Sequence, residues 1–156
     1  MKPILVADYS WDSFLIHWLI LEKECPLDVV YPHQRYDVPL FKGPYYHAGD
    51  ILIYDHAALV QFLQERYPGE QLLPADPVSR AQVRQACAIV SDPEVDLAAE
   101  VAEIVSTGST YMTGRDFTLL DIYVGTRLST LQEIPPAIAD YWKRIISRPA
   151  YKVALS

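Results

Sequence analysis

The sequence predicts an α/β unit followed by an all-helical unit. Three observations carry this. Between residues 4 and 31 a short apolar run, a helical stretch and a second apolar run follow one another, which is a βαβ pattern. Residues 45–54 read as a hairpin that leads into another helix. Beyond a proline-rich linker every periodic segment is helical. The expected division is 1–67 for the α/β unit, 68–77 for the linker and 78–156 for the helical unit.

Residues 4–7 are apolar and rich in β-branched side chains between Pro3 and Asp8, as a buried strand should be. Residues 11–23 place Phe14, Leu15, Trp18, Leu19 and Leu21 at helical spacing, with Asp12 near the start and Lys23 at the end to suit the helix dipole. Residues 27–31 form the second strand, parallel to the first. Residues 33–43, with Pro32, Pro39 and Pro44 in or beside them, have no period and read as loop. Tyr45-Tyr46-His47 and residues 51–54 flank the turn at Ala48-Gly49-Asp50. Asp55 caps a helix over 56–66 with Leu59, Phe62 and Leu63 on one face.

In the helical unit, 78–90 and 93–105 are expected helices, the second with Pro93 in its first turn. Residues 106–115 form a loop. A helix over 119–131 follows and is apolar on nearly every side, which marks it as buried. Thr118 and Asp121 spell a capping box at its start, with Phe117 and Ile122 as a hydrophobic staple. Pro135 and Pro136 open a last long helix with Ile138, Tyr141, Trp142 and Ile145 inward. Ser147-Arg148-Pro149 is expected to end it and leave a short tail.

Composition bounds the function. With 156 residues, 51% of them hydrophobic, the chain can build a core and is not disordered. The formal charge of −7 argues against direct binding to nucleic acid or to an anionic membrane. No apolar run reaches bilayer length, and the first eight residues do not read as a signal peptide. Cys25 and Cys87 stand apart with no CxxC, which suits a reduced, cytoplasmic compartment.

The order of elements, with four local motifs, resembles the glutathione S-transferase superfamily. Gly114, Phe117 and the Thr118–Asp121 box are similar to the cap and staple of that family's sixth helix. Glu65-Arg66-Tyr67-Pro68 through Asp76-Pro77 and Arg80-Ala81 is similar to its bacterial interdomain linker. Ser147-Arg148-Pro149-Ala150-Tyr151 looks like the close of its last core helix. Pro44 is spaced to Asp55-His56 as the family's cis-proline is to its Glu-Ser pair. The resemblance implies a thioredoxin-like N-terminal domain, an all-α C-terminal domain and a homodimer. It covers the whole chain, which is shorter than most family members at 31–44 and in the two helices before residue 106.

The resemblance also implies a glutathione site. Ser10, where the first strand hands over to the first helix, matches the serine or cysteine that stabilises the glutathione thiolate in several classes. Tyr9 is the alternative donor and Ser13 a third; Ser10 as a plain helix cap is an equal reading. The family often has Pro after this serine, where this chain has Trp11. Gly43-Pro44 matches the pair whose backbone meets the cysteinyl part of glutathione, and Val38-Pro39 is the less well-spaced alternative. Asp55-His56 matches the acid and serine that take the γ-glutamyl amine and carboxylate, but His56 replaces the hydroxyl. Asp55 as a helix cap with His56 as a surface residue is the better reading, so weak glutathione affinity is expected.

Other groupings carry less. The four histidines lack metal-ligand spacing, so no metal is expected. Asp92, Glu94, Asp96, Glu100 and Glu103 read as a solvated face. The tyrosines at 31, 45, 46 and 54 read as sheet residues rather than a stacking platform. Three readings compete. The first is a transferase conjugating glutathione to a small electrophile docked against the helical domain. The second is a non-catalytic protein-binding module similar to the stringent starvation protein A group, acting through RNA polymerase. The third is a stand-alone remnant whose fold serves only dimerisation. The first needs Ser10, Pro44 and Asp55; the second explains His56 and the shortened segments.

Overall fold

A computed structural model describes residues 2–31 and 43–156, and the chain divides into two units, Met1–Glu70 and Gln71–Ser156. The expected loop from His33 and the Val38-Pro39 alternative lie outside the described residues.

The first unit is built on β1 (Ile4–Val6), α1 (Trp11–Glu22), β2 (Asp28–Val30), β3 (Tyr45–Ala48), β4 (Ile51–Ile53) and α2 (His56–Arg66). The sheet order is β2-β1-β3-β4, with β1 parallel to β2 and the other pairs antiparallel. Leu5 pairs with Val29 and Tyr46, and Tyr46 with Ile53, so alternate residues share a face. Ile4, Val6 and Tyr45 form a buried cluster with Val30 and Leu52 against it. On the other face Tyr46 meets the ring of Phe62 from α2 edge-on at 4.8 Å. This is the thioredoxin-like arrangement, and the βαβ and hairpin patterns place it correctly.

One backbone position in this unit is built against propensity. Helix α1 ends with Cys25 N–H donating to Ile20 O at 3.0 Å and Glu24 N–H to Leu21 O at 3.2 Å, a Schellman closure. Glu24 occupies its left-handed position at φ 52°, where glycine is the preferred residue. Lys23 is buried there, its ammonium donating to Glu70 O at 3.0 Å. Gly69 packs so closely on the Lys23 carbonyl that a Cβ would lie 2.1 Å from its oxygen.

The second unit holds α3 (Pro77–Val90), α4 (Leu97–Val105), α5 (Leu119–Leu128), a 3-10 turn (Pro136–Ile138), α6 (Ala139–Ile146) and α7 (Pro149–Leu155). Several boundaries differ from the sequence reading, and α5 ends at Leu128 rather than at 131. Helix α4 starts at Leu97, not at Pro93: Asp92 accepts from Glu94 N–H at 2.9 Å in a local turn, and Asp96 is the true cap, accepting from Ala99 N–H at 3.2 Å. Pro149 starts a helix instead of stopping one, because a proline at the first helical position costs no hydrogen bond. The expected tail is therefore α7. The last long helix is a 3-10 turn followed by α6, with Ile138, Tyr141 and Ile145 buried and Trp142 half-buried against Tyr151 at 6.0 Å.

Helix α5 is buried on every side, as its composition requires. The expected Thr118–Asp121 capping box is present at its start. Asp121 is fully buried and accepts from Thr118 N–H at 2.9 Å, Met112 N–H at 3.0 Å and the Tyr141 hydroxyl at 2.8 Å. Thr118 Oγ1 takes the capping-box position over the Asp121 amide, yet it is buried and no hydrogen bond reaches it among the described residues. The aspartate half of the box thus holds the helix start, the 112 loop and α6 together. Burial pushes the Asp121 carboxyl above the usual range, although these three donors and the Arg148 charge pull it back.

Asp121→Ala leaves three buried donors without an acceptor and should cost about 3 kcal/mol or more in urea unfolding. Thr118→Val should change stability by less than about 0.5 kcal/mol, because the lost hydroxyl has no partner. A cost of a full N-cap for Thr118→Val would reassign the cap to the threonine. Glu24→Gly should raise stability by up to about 1 kcal/mol on the same assay, and a loss would show that the left-handed strain at Glu24 is compensated elsewhere.

Candidate functional site

The site is built on the turn from β1 into α1. Ala7 N–H donates to Val30 O at 2.8 Å, the last sheet bond before the chain turns. Asp8 Oδ1 then accepts from the Ser10 N–H at 3.0 Å, from the Ser10 hydroxyl and from the Ser13 hydroxyl at 2.8 Å. Ser13 Oγ in turn accepts from Asp8 N–H at 2.9 Å, and Ser10 Oγ accepts from Ser13 N–H at 3.2 Å. Ser10 is the N-cap of α1, as one of its two sequence readings holds. Its hydrogen, however, points at Asp8.

Asp8 was not singled out by sequence reasoning. The available signal was the Asp-x-Ser spacing, since an aspartate readily accepts from the backbone two residues on. Partial burial pushes the Asp8 carboxyl up, but the hydrogen bonds from Ser10 and Ser13 outweigh it and hold it below the usual range. Ser13 is 2% exposed with its hydrogen on Asp8, so it has no donor to offer a ligand. Tyr9 is the opposite case. It is 85% exposed, with one ring face stacked on Tyr31 at 5.1 Å.

Two other stretches come to this turn. Gly43 lies against the end of β1: a Cβ there would sit 3.1 Å from Val6 O and 3.6 Å from Asp8 N, so a larger residue would press on the end of the strand. The Gly43-Pro44 peptide is cis, at the preferred one of the two expected prolines. From the other direction, His56 opens α2 beside the first turn of α1. Its Nδ1 is 3.3 Å from Asp12 Oδ1, and its ring is 5.7 Å from that of Trp11. Asp55 caps α2, its Oδ2 accepting from Ala58 N–H at 3.0 Å. The aspartate thus does what its simpler reading requires, while the imidazole is engaged with α1 rather than being a plain surface residue. Trp11, 41% exposed, and Asp12 enter the site through this contact, which sequence spacing gave no way to see.

The remaining groups are structural. Burial pushes the Cys25 thiol up to about 11, and burial with the nearby Asp121 charge pushes Cys87 up to about 12, so neither is a ready nucleophile. The acidic residues from Asp92 to Glu103 are exposed. Among the described residues no group of three His, Cys, Asp or Glu is placed to hold a metal, and no helix is long and apolar enough to cross a membrane.

A thioredoxin-like unit followed by an all-helical unit, with a cis-proline beside the first strand-to-helix turn, is the glutathione S-transferase fold. Solved structures agree over nearly the whole chain. A glutathione transferase homolog from Burkholderia gl BGR1, with bound glutathione, is 20% identical over 99% of this chain and 97% of its own, with a TM-score of 0.78. A glutathione S-transferase from Rhodospirillum rubrum F11 is 18% identical over 99% and 92%, with a TM-score of 0.81. FzlA from C. crescentus is 17% identical over 99% and 92%, with a TM-score of 0.79. No family model matches the sequence, and no curated protein matches it. The likeness is one of fold.

The depressed Asp8 carboxyl stabilises the folded protein at pH values above its unfolded pKa of about 3.9, and that contribution is lost as pH falls through the lower folded value. The stability difference between wild type and Asp8→Asn should therefore be largest near neutral pH and shrink in acid. A difference independent of pH would show that the Asp8 charge does not support the turn.

Proposed function

We propose that this chain is a glutathione S-transferase-like protein that takes glutathione at the β1–α1 turn and conjugates it to small electrophiles, as a homodimer. The supporting observation is the gathering of Ser10, Gly43-Pro44 and Asp55-His56 around one turn. The Gly43-Pro44 backbone takes the cysteinyl part, which brings the thiol toward Ser10 and Tyr9 at the positive end of α1. Asp55 keeps a second carboxylate oxygen beside the one that caps α2, and a carboxylate has acceptor capacity to spare for an ammonium group such as the γ-glutamyl amine. His56 stands where a hydroxyl would take the γ-glutamyl carboxylate and is already engaged with Asp12. Binding is weak for that reason.

A second reading keeps the fold without the chemistry: a non-catalytic protein-binding module of the stringent starvation protein A type, working through RNA polymerase. The engagement of His56 with Asp12 and Trp11 favours it. Calorimetric titration with glutathione separates the two. Wild type should bind weakly, and His56→Ser should bind about tenfold more tightly by restoring one hydrogen bond to a charged group. Absence of binding by both proteins, with capture of RNA polymerase by the wild type, would move the assignment to the second reading.

A further inference from the structure

Resting on that reading, we propose that Asp8 is a positioning residue that holds the site in a low-activity state: it takes the Ser10 hydroxyl hydrogen and so turns Ser10 from a donor to thiolate into an acceptor from thiol. A hydroxyl has one hydrogen and two acceptor lone pairs. The hydrogen stays on Ser10 Oγ and points at Asp8 Oδ1, and one lone pair accepts from the Ser13 N–H at 3.2 Å. What remains for a bound sulfur is a single lone pair. That lone pair accepts from S–H, and a hydrogen bond to the neutral form of an acid opposes its ionisation. The Asp8 carboxylate works in the same direction. A sulfur in contact with Ser10 Oγ lies two hydrogen bonds from Asp8 Oδ1, about 6 Å, within the range where a like charge disfavours a second one.

The arrangement is fixed from both sides. Asp8 Oδ1 is also held by the Ser10 N–H at 3.0 Å and by the Ser13 hydroxyl at 2.8 Å, so it cannot turn away without unpairing the start of α1. Asp8 is ionised at neutral pH, its carboxyl lying below the usual range. Among the described residues, the other charged or titratable groups around the turn are Asp12 and His56, paired at 3.3 Å, Asp55 at the cap of α2, and the Tyr9 phenol stacked on Tyr31. The net result favours a bound thiol over a thiolate, against the N-terminal dipole of α1. Conjugation needs the thiol proton to pass to water. The sulfur lone pair then forms the bond to the electrophilic carbon, and the leaving group departs with its bonding pair. Asp8 acts on the first of these events alone.

The test is a double-mutant cycle on Asp8→Asn and Ser10→Ala. Glutathione binding is followed by calorimetry, and thiolate formation by ultraviolet absorbance against pH. Asp8→Asn keeps an acceptor for the turn and removes the charge. It should lower the pKa of bound glutathione by about one unit, roughly tenfold more thiolate at neutral pH, and raise kcat with a broad aryl halide in step. Ser10→Ala should change little in the wild type but cut the gain in the Asp8→Asn background to the part that comes from the lost charge; such non-additivity marks two groups acting as a unit. Bound glutathione with the same thiol pKa in wild type and Asp8→Asn overturns the proposal while leaving the glutathione site intact. Failure of every variant to bind glutathione, with each shown folded by circular dichroism, overturns both. Should Asp8→Asn not fold, Asp8→Ser, which keeps a short acceptor without the charge, is held to the same outcomes.

Discussion

One oxygen atom, Asp8 Oδ1, ties the end of the first strand to the first helix by accepting three hydrogen bonds. The rest of the first unit is arranged on that turn. Gly43 and the cis-proline lie against its strand side, and His56 at the head of α2 lies against its helix side. The second unit uses the same device at Asp121, which also accepts three hydrogen bonds. Their settings differ. Asp121 is sealed from solvent and holds the start of α5, the 112 loop and α6 together. Asp8 is partly exposed, near an 85% exposed tyrosine and a 41% exposed tryptophan in sequence, so its charge is open to solvent.

Much of this architecture was legible in the sequence. Short apolar, β-branched runs and a glycine-containing turn marked the strands, and an all-apolar surface marked α5 as buried. Those signals are local and periodic. Prolines were harder to read, because the same residue breaks a helix from inside and opens one at its first position. Pro93 was read as an opener and stands outside α4, while Pro149 was read as a stop and begins α7. The Thr118–Asp121 pair was recognised, but which half carries the cap depends on where buried donors fall, and Met112 and Tyr141 are distant in sequence.

The candidate site was legible by position rather than by chemistry. Gly43 packs on Asp8 and His56 stands 3.3 Å from Asp12, since each sits at an element boundary beside the β1–α1 turn. What spacing could not give was the direction of one hydroxyl hydrogen. A serine at a helix start reads as a donor, a cap or both. Only the carboxylate two residues earlier decides between them, and it does so by proximity in a turn rather than by any repeat. The contact of His56 with Asp12 and Trp11 is likewise tertiary, between residues more than forty apart in sequence.

The proposed binding of glutathione at the β1–α1 turn is tested by backbone amide chemical shifts of labelled protein, followed through a glutathione titration. The shifts should gather on Tyr9 to Ser13, on Tyr45 beside the cis-proline and on the first turn of α2. Shifts confined to residues 71–156, or none at saturating glutathione, would contradict it.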